Sequence, residues 1–307
     1  MSGQAARPLY GSLGYVRNSS SDGQPLVVAA WDLCVLKRPI PGAPCSDAAG
    51  AYPLLPLQED ADVDAGLAEL GRDGLVSFVA VLDPLCAPSA LVEAFPVRRP
   101  FKTHCLVRRP GAAFSPTRHH REEMRLAARR CAVEAGPLGP WLDDWASLYG
   151  QVAEARDWSS SHRFSTPYWT DLAASPQVTA FKAKTATGEL LAMALFVREG
   201  PRVYYHLASS RDAGRRARAS YGILAAALER YGDADVIDLG GAAGAGDDPA
   251  DGLFAFKQGF ANDSEMAWLV GAVLAPDVYD VLAKGAGEDF FPAYRSPSQT
   301  GGTRTSG

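Results

Sequence analysis

The chain has 307 residues, of which 47% are hydrophobic and 21% charged, and its formal net charge is −5. This composition is that of a soluble globular protein with a sizeable core, and the length suggests about two domains. No apolar run approaches the ~18 residues of a membrane span, and the N-terminus lacks the apolar block of a secretory signal. We therefore expect a cytoplasmic protein with no membrane partner.

The cysteines and histidines do not form a recognisable metal or disulfide pattern. The five cysteines are scattered, without a C-x-x-C pair, which favours reduced and mostly buried thiols. His119 and His120 are adjacent, so on a helix they point in different directions and do not chelate as an i, i+4 pair would. No metal site is expected.

Charge is unevenly distributed along the chain. Residues 98–130 contain ten Lys or Arg against two acids, a local net charge of +8, which leaves −13 for the rest of the chain. Such asymmetry suggests a local polyanion site, although a solvated basic helix without a partner is the usual explanation of a single charge run. A second arginine cluster, at residues 211–218, makes the two interpretations about equally good.

The first third of the chain predicts a small mixed α/β unit. Apolar runs predict strands, and short amphipathic segments predict helices. A segment dense in proline, glycine and alanine, residues 39–53, predicts a long loop. The expected strands are 25–31, 33–38, 75–82 and 101–108, and the expected helices lie within 60–72 and over 89–95.

Three helices are expected next. Ser115 and Pro116 are a good helix start, because serine caps a first turn and proline suits the first helical position. The second helix, residues 141–156, places its tryptophans at helical spacing toward the core. The third begins at Thr166-Pro167.

The remaining chain predicts strands 178–185 and 189–199 in antiparallel hairpins, and then the stretch from Arg202 to Phe260. In this stretch two strands flank a helix, and glycine, lysine and arginine gather at their ends, which predicts one face of a binding cleft. Its parts are strand 203–210, an arginine-rich loop at 211–220, helix 221–231, strand 235–241 and the segment 252–260. A closing strand at 264–274 and a helix at 276–284 follow.

The order of elements in residues 115–275 resembles the fold of the Gcn5-related N-acetyltransferase (GNAT) superfamily. Five segments, HHREEMRLAARR, YYHLASS, ARASYGILAAAL, DLGG and GLFAFKQGF, more specifically resemble its FemABX branch. The resemblance covers about residues 75–275, and DLGG with GLFAFKQGF is its most specific part.

This resemblance implies an α/β (mixed α+β) fold of tandem GNAT-like units. The N-terminal unit, residues 1–110, would be smaller and degenerate. The C-terminal unit, residues 111–294, would carry the antiparallel meander and the strand–helix–strand cleft. Residues 295–307 are small and polar and are expected to be a disordered tail.

The resemblance also implies an activity. FemABX enzymes transfer an amino acid from a charged tRNA to an amine, forming a peptide or isopeptide bond in cell-wall precursors, and similar domains occur in enzymes that tailor small molecules. This chain is shorter than the cell-wall enzymes and lacks the long helical hairpin that some of them insert. We therefore expect an acceptor amine on a small molecule or a cell-wall precursor, with the smaller amine favoured. The oligomeric state is left open, and a monomer is compatible with the sequence.

The alternative donor is an acyl-coenzyme A. Coenzyme A users of the superfamily carry small residues before the cleft helix, which let backbone N–H groups approach a pyrophosphate. Here the matching segment is Arg211-Asp-Ala-Gly214-Arg-Arg216, in which arginine replaces the last small residue. Guanidinium side chains still bind phosphate, so the segment favours a nucleic-acid backbone over coenzyme A. Aminoacyl-tRNA is thus expected as co-substrate, without a bound cofactor.

Lys257 is the first catalytic candidate. An aminoacyl ester is already activated, so the enzyme must mainly position an amine and stabilise the oxyanion. Lys257 lies in an F-K-x-x-F motif, and the family's matching lysine lies at the active site; a lysine extending from an amphipathic helix into solvent is the ordinary alternative. Asp238 would orient the amine or accept its proton, or has a structural role.

The other candidates are assigned by position. Tyr205 and His206 are catalytic candidates that are adjacent on one strand, so only one of them points into the cleft. The histidine would serve as a base near neutral pH, although a lone histidine in a strand is more often a core residue with its hydrogen bonds satisfied. The glycine run at 240–246 lacks the G-K-[ST] ending of a nucleotide-binding loop. The residues expected to line the cleft are Tyr204, Ser209, Ser220, Tyr221, Gly240, Gly241 and Phe256, and those expected to bind tRNA phosphates are Arg121, Arg125, Arg129, Arg211, Arg215, Arg216 and Arg218.

Overall fold

The computed structural model describes residues 8–109, 116–155, 164–243, 251–287 and 289–296. The α-helices are α1 Leu13–Asn18, α2 Val63–Arg72, α3 Ser89–Glu93, α4 Arg118–Arg130, α5 Leu142–Ala155, α6 Thr166–Ala174, α7 Asp212–Ala217, α8 Ala219–Arg230, α9 Gly252–Gln258 and α10 Pro276–Leu282. The strands are β1 Gln24–Val28, β2 Leu33–Pro39, β3 Ser46–Ala49, β4 Ser77–Val81, β5 Val97–Arg108, β6 Ala132–Gly136, β7 Val178–Lys184, β8 Leu190–Glu199, β9 Arg202–Ser210, β10 Val236–Asp238 and β11 Asp263–Val273. The fold is therefore mixed α/β, as predicted.

The chain divides into two compact units. The first contains the described residues up to Phe101 and from Ala267 onward, and the second contains Lys102–Met266. The sequence instead predicted a single boundary at residue 110 and placed residues 267–294 with the C-terminal half. The difference arises because β11 pairs antiparallel with β4, from Leu269↔Val81 to Val273↔Ser77, which places the described residues after 266 in the first unit.

The first unit has the strand order β1-β2-β3-β4-β11. Its core packs α2 and α3 against the sheet, with the aromatic rings of Trp31, Phe78 and Phe95 at the centre. Strand β3 lies within the segment predicted as a loop, so that prediction was wrong. Its Asp47 is fully buried, and the guanidinium groups of Arg38 and Arg295 both bond to the carboxylate.

The second unit has the strand order β5-β10-β9-β8-β7-β6. Strands β6 to β9 form an antiparallel meander, and β9 pairs in parallel with β10. The predicted hairpins are confirmed, while β6 was not predicted. Helix α8 packs Ile223, Leu224 and Ala227 against Phe181 and Phe196 of the sheet.

Two predicted helix boundaries near the arginine clusters differ from the structure. Helix α4 begins at Arg118 with Thr117 as its N-cap, whose hydroxyl accepts from the His120 N–H, so Pro116 precedes the helix. Ser115 lies outside the described residues. The predicted arginine-rich loop contains a helix, α7, which leads into α8 through Arg218 at φ 63°.

Candidate active site

The candidate site is built where β10 ends. Asp238, the last residue of β10, pairs with Leu106 of β5 on one side and with Tyr204 of β9 on the other. Beyond it the chain follows β5, because the Leu239 N–H donates to Cys105 O and Gly240 O accepts from the Cys105 N–H. The β9 ladder with β10 therefore ends at Tyr204, while β9 continues to Ser210.

Lys257 reaches this point from α9. The helix starts at Asp251, whose carboxylate accepts from the N–H groups of Leu253 and Phe254. Lys257 Nζ donates to Gly241 O at 2.7 Å, and the residue is only 8% exposed. Burial lowers the pKa of Lys257 to about 8, although the nearby charge of Asp238 acts in the opposite direction.

Gly240 leaves room for the ammonium group of Lys257. Its φ is +74°, a left-handed conformation that favours glycine, and a Cβ here would lie 3.1 Å from Lys257 Nζ. A second lysine adds to the arrangement, because Lys102 Nζ donates to Ala242 O at 3.1 Å. Two ammonium groups thus hold consecutive carbonyls, those of Gly241 and Ala242.

Asp238 is bonded through both carboxylate oxygens. Oδ1 accepts from the Gly240 N–H at 2.7 Å, and Oδ2 lies 2.8 Å from Nδ1 of His104 on β5. His104 was not predicted as a site residue. The strand pattern around it was visible, but its alignment beside Asp238 depends on the β5–β10 pairing, which the sequence does not indicate.

The side chains of Tyr205 and His206 have different surroundings. A bulge in the β8–β9 register separates them, since Phe196 pairs with Tyr205 and Leu195 pairs with Leu207. Tyr205 packs beside Phe196 on the α8 side of the sheet, and burial raises its pKa. Nε2 of His206 lies 2.9 Å from the hydroxyl of Tyr168 on α6, and burial lowers the pKa of His206 to about 3. Their catalytic roles stay predictions.

The two other predicted cleft residues on β9, Tyr204 and Ser209, are buried. The Ser209 hydroxyl donates to Leu148 O of α5 at 3.4 Å. On α8, Ser220 is half-buried.

Helices α4, α8 and α9 meet in an aromatic cluster. Tyr221 of α8 contacts Phe256 of α9 edge to face, with 4.9 Å between ring centroids. Because Phe256 O is an acceptor, Nε2–H of His120 donates to it at 2.9 Å, and Nδ1 accepts from the Thr117 hydroxyl. With one ring nitrogen donating and the other accepting, His120 is neutral, and burial lowers its pKa, which favours the neutral ring. His120 thus fixes α9, and with it Lys257, against α4.

The structure brings the two arginine clusters onto neighbouring elements of the second unit. Glu123 of α4 forms an ion pair with Arg218, and Arg130 donates to Arg216 O at 2.7 Å, so α4 and α7 lie side by side. The exposed arginines of the predicted phosphate-binding set are Arg121, Arg125 and Arg129 on α4, Arg215 and Arg216 on α7, and Arg218 between α7 and α8. Arg211, which precedes α7, is half-buried and donates to Leu190 O at 3.4 Å.

Lys257, Asp238, Gly240 and Gly241 are therefore brought together at one end of β10. Residues 244–246 of the predicted glycine run lie outside the described residues. Within the described ranges no group of three His, Cys, Asp or Glu could hold a metal ion. None of the helices described is long and apolar enough to cross a membrane.

Comparison with known proteins identifies the fold. FemX superimposes with a TM-score of 0.63 at 12% identity, over 89% of this chain and 94% of FemX. The C-terminal domain of a proposed lysylphosphatidylglycerol synthetase from Agrobacterium fabrum gives a TM-score of 0.59 at 14% identity, over 88% of this chain and 94% of that one. L-PGS from Bacillus licheniformis gives 0.59 at 11% identity, over 84% and 87%. No family model and no curated protein matches the sequence.

The chain thus has the fold of FemX, of the Agrobacterium fabrum domain and of L-PGS. This confirms, at the level of the fold, the resemblance that the sequence suggested. The tandem repetition of GNAT-like units stays a prediction.

Proposed function

We propose that this protein is an aminoacyltransferase that moves an amino acid from an aminoacyl-tRNA to an amine and forms an amide bond. The observation that carries the proposal is Lys257: a buried ammonium group, held at the end of β10 by Gly241 O, in a chain with the fold of FemX. The names of the similar structures support aminoacyl transfer in general and do not single out an acceptor.

The chemistry requires stabilisation of negative charge. When the amine attacks the ester carbonyl, the carbonyl oxygen becomes an oxyanion, and donors in a partly desolvated site stabilise it strongly. Lys257 uses one N–H on Gly241 O and has two more to offer. With a pKa of about 8, the ammonium is still largely protonated at neutral pH.

The arginines of α4 and α7 support tRNA as the carrier of the amino acid. Arg121, Arg125 and Arg129 are exposed along one side of α4, and Arg216 occupies the position at which coenzyme A enzymes have a small residue. Exposed guanidinium groups suit phosphates spread along a nucleic-acid backbone. The acceptor we propose is an amine of a small molecule or of a cell-wall precursor.

The proposal is tested by mixing purified protein with a total tRNA pool charged with radiolabelled amino acids. Putrescine, L-lysine and a lysine-containing peptidoglycan precursor serve as acceptors, with acetyl-CoA as the donor in parallel. We expect labelled amide product that disappears after RNase treatment. Product from acetyl-CoA that is insensitive to RNase would instead identify an acyl-CoA N-acyltransferase, and salt-sensitive tRNA binding without product would identify a non-catalytic RNA-binding module.

A further inference from the structure

The pairing of His104 with Asp238 supplies a proton acceptor for the transfer reaction. We propose that His104 is the general base that deprotonates the attacking amine, and that Asp238 is the positioning residue that orients its ring. This inference rests on the proposed aminoacyl transfer and names a catalytic residue for it.

The geometry holds one edge of the imidazole ring and leaves the other available. Nδ1 of His104 lies 2.8 Å from Asp238 Oδ2, and the side chains are 10% and 3% exposed. Among the described residues, Nε2 of His104 has no hydrogen-bond partner. The described side-chain atoms that are both fully buried and unpaired do not include it, so Nε2 is not sealed inside the protein. Nε2 is therefore the edge that can meet a bound molecule.

The hydrogen bond to Asp238 determines which ring nitrogen of His104 carries the proton. A carboxylate oxygen accepts hydrogen bonds, so Nδ1 of His104 carries the proton and donates it to Asp238 Oδ2. The Gly240 N–H on Oδ1 holds the carboxylate in place. In the neutral ring, Nε2 then has a lone pair, which is the requirement for a general base.

Lys257 binds the same short segment of chain. The charge of the Asp238 carboxylate acts to raise the pKa of Lys257, and Gly240, bonded to Asp238, lies next to the Gly241 carbonyl that Lys257 binds. His104 and the ammonium group of Lys257 thus form hydrogen bonds with the same four-residue segment, Asp238 to Gly241.

In the proposed step, His104 carries one proton from the amine to the leaving oxygen. The amine nitrogen attacks the ester carbonyl carbon, forming a C–N bond, and the π electron pair moves to the carbonyl oxygen beside Lys257. His104 Nε2 takes a proton from that nitrogen. As the tetrahedral intermediate collapses, the ester C–O bond breaks, and the imidazolium returns the proton to the departing ribose oxygen.

The first experiment is chemical rescue. With the aminoacyl-tRNA and acceptor that give product in the assay above, we expect His104→Ala to lose 10²- to 10⁴-fold in kcat/KM, the usual range for a general base. Added imidazole should restore at least tenfold. Pyrazole, a ring of similar size but much weaker basicity, should restore nothing, which separates proton transfer from filling of a cavity.

Two matched variants test the role of Asp238. Asp238→Asn should lower kcat/KM by up to about 10⁴-fold, the loss seen when the carboxylate that orients a base histidine becomes an amide, and imidazole should not rescue it. Asp233→Asn, an exposed aspartate paired with Arg198, should match the wild type. If His104→Ala does not fold, His104→Gln replaces it and should show the same loss without rescue by either ring.

The possible failures are distinguishable. If the wild type makes no amide product with any donor, the proposed function fails, and the role of His104 fails with it. If the wild type makes product but His104→Ala or His104→Gln retains full activity, or if pyrazole rescues as well as imidazole, the function stands and the base assignment is overturned. A ¹⁵N NMR spectrum in which Nε2, and not Nδ1, carries the proton would also overturn it.

Discussion

At the scale of single residues, the buried ammonium of Lys257 decides how the site responds to pH. Burial lowers its pKa to about 8, so the charged form predominates below that value and is lost as the pH rises through it. Because only the charged form stabilises an oxyanion, transfer should decline above pH 8.

We predict that Lys257→Arg removes this alkaline decline. Arginine stays protonated at all accessible pH values, so the variant should be slower but should keep a flat profile from pH 7.5 to 9.5. The measurement is single-turnover transfer at saturating acceptor over that range. Lys184→Arg, at an ion-paired lysine of β7, is the control and should decline as the wild type does. An unchanged decline in Lys257→Arg would show that another group causes it.

His206 should make the fold sensitive to acid. Its pKa is lowered from 6.5 to about 3, so the unfolded chain binds a proton between these values that the folded chain does not. The free energy of unfolding should therefore fall with decreasing pH, by about 1.4 kcal/mol per unit from this residue. His206→Gln, which does not titrate, should lose that part of the slope between pH 6.5 and 4.5 in urea titrations. Equal slopes for both proteins would contradict the burial of a neutral His206.

Sequence motifs led to Lys257 and Asp238 but not to His104. The first two lie in DLGG and GLFAFKQGF, whose composition is distinctive. A histidine in a strand does not by itself indicate a functional site. Only the pairing of β5 with β10 shows that His104 lies beside Asp238.

At the scale of secondary structure, α7 is held against the meander by a close backbone contact. A Cβ at Gly214 would lie 2.3 Å from the carbonyl oxygen of Leu191 on β8, and a backbone atom cannot move aside as a flexible side chain can. The position therefore requires glycine for its space, and the arginines of α7 depend on it for their placement.

We predict that Gly214→Ala destabilises the protein by about 1–3 kcal/mol, the usual cost of overpacking. Gly150→Ala, in α5, is the matched control, since a Cβ there has nothing within 4 Å. It should stabilise by roughly 0.5–1 kcal/mol, the preference of a helix interior for alanine. Chemical denaturation of both variants checks this. A Gly214→Ala variant as stable as the wild type would mean that α7 can shift away from β8.

Strong periodicity explains which elements were predicted. Strands β7 to β9 and helix α8 are long and apolar on their buried faces, and they were found. Strand β3, Ser-Asp-Ala-Ala, has no strand-forming residue, and it forms where Arg38 and Arg295 neutralise Asp47. Since Arg295 lies 248 positions away, no local pattern could reveal this.

At the scale of the whole molecule, the acidic chain gathers a group of exposed arginines on neighbouring elements. The net charge is −5, yet α4, α7 and the residue that joins α7 to α8 present six exposed arginines of the predicted phosphate-binding set. Such a distribution should make tRNA binding depend steeply on salt, because each neutralised phosphate releases counterions.

We predict that replacing Arg121, Arg125 and Arg129 with alanine weakens tRNA binding and lowers the slope of log K against log[salt] by about 2 to 3, at 0.7–0.9 per phosphate contact. The control is the triple variant Arg17→Ala, Arg72→Ala and Arg230→Ala, which changes the net charge equally at exposed positions elsewhere. Filter binding from 50 to 300 mM salt measures both. Equal slopes for the two variants would show that α4 does not contact tRNA.

The path of the chain at this scale was only partly predictable. Local patterns placed a boundary near residue 110, close to the first crossing between the units at 101/102. They did not indicate that residues 267–296 join the first unit, since the pairing of β11 with β4 connects segments almost two hundred residues apart.

The most direct test of the account is transfer by wild type and Lys257→Met in one experiment, with gel-purified radiolabelled aminoacyl-tRNA as the only acyl donor. We expect RNase-sensitive amide product from the wild type and a rate lower by about 10²- to 10³-fold in the variant, with both proteins equally folded by circular dichroism. Equal rates in the two proteins, or wild-type product that forms only from acyl-CoA, would contradict it.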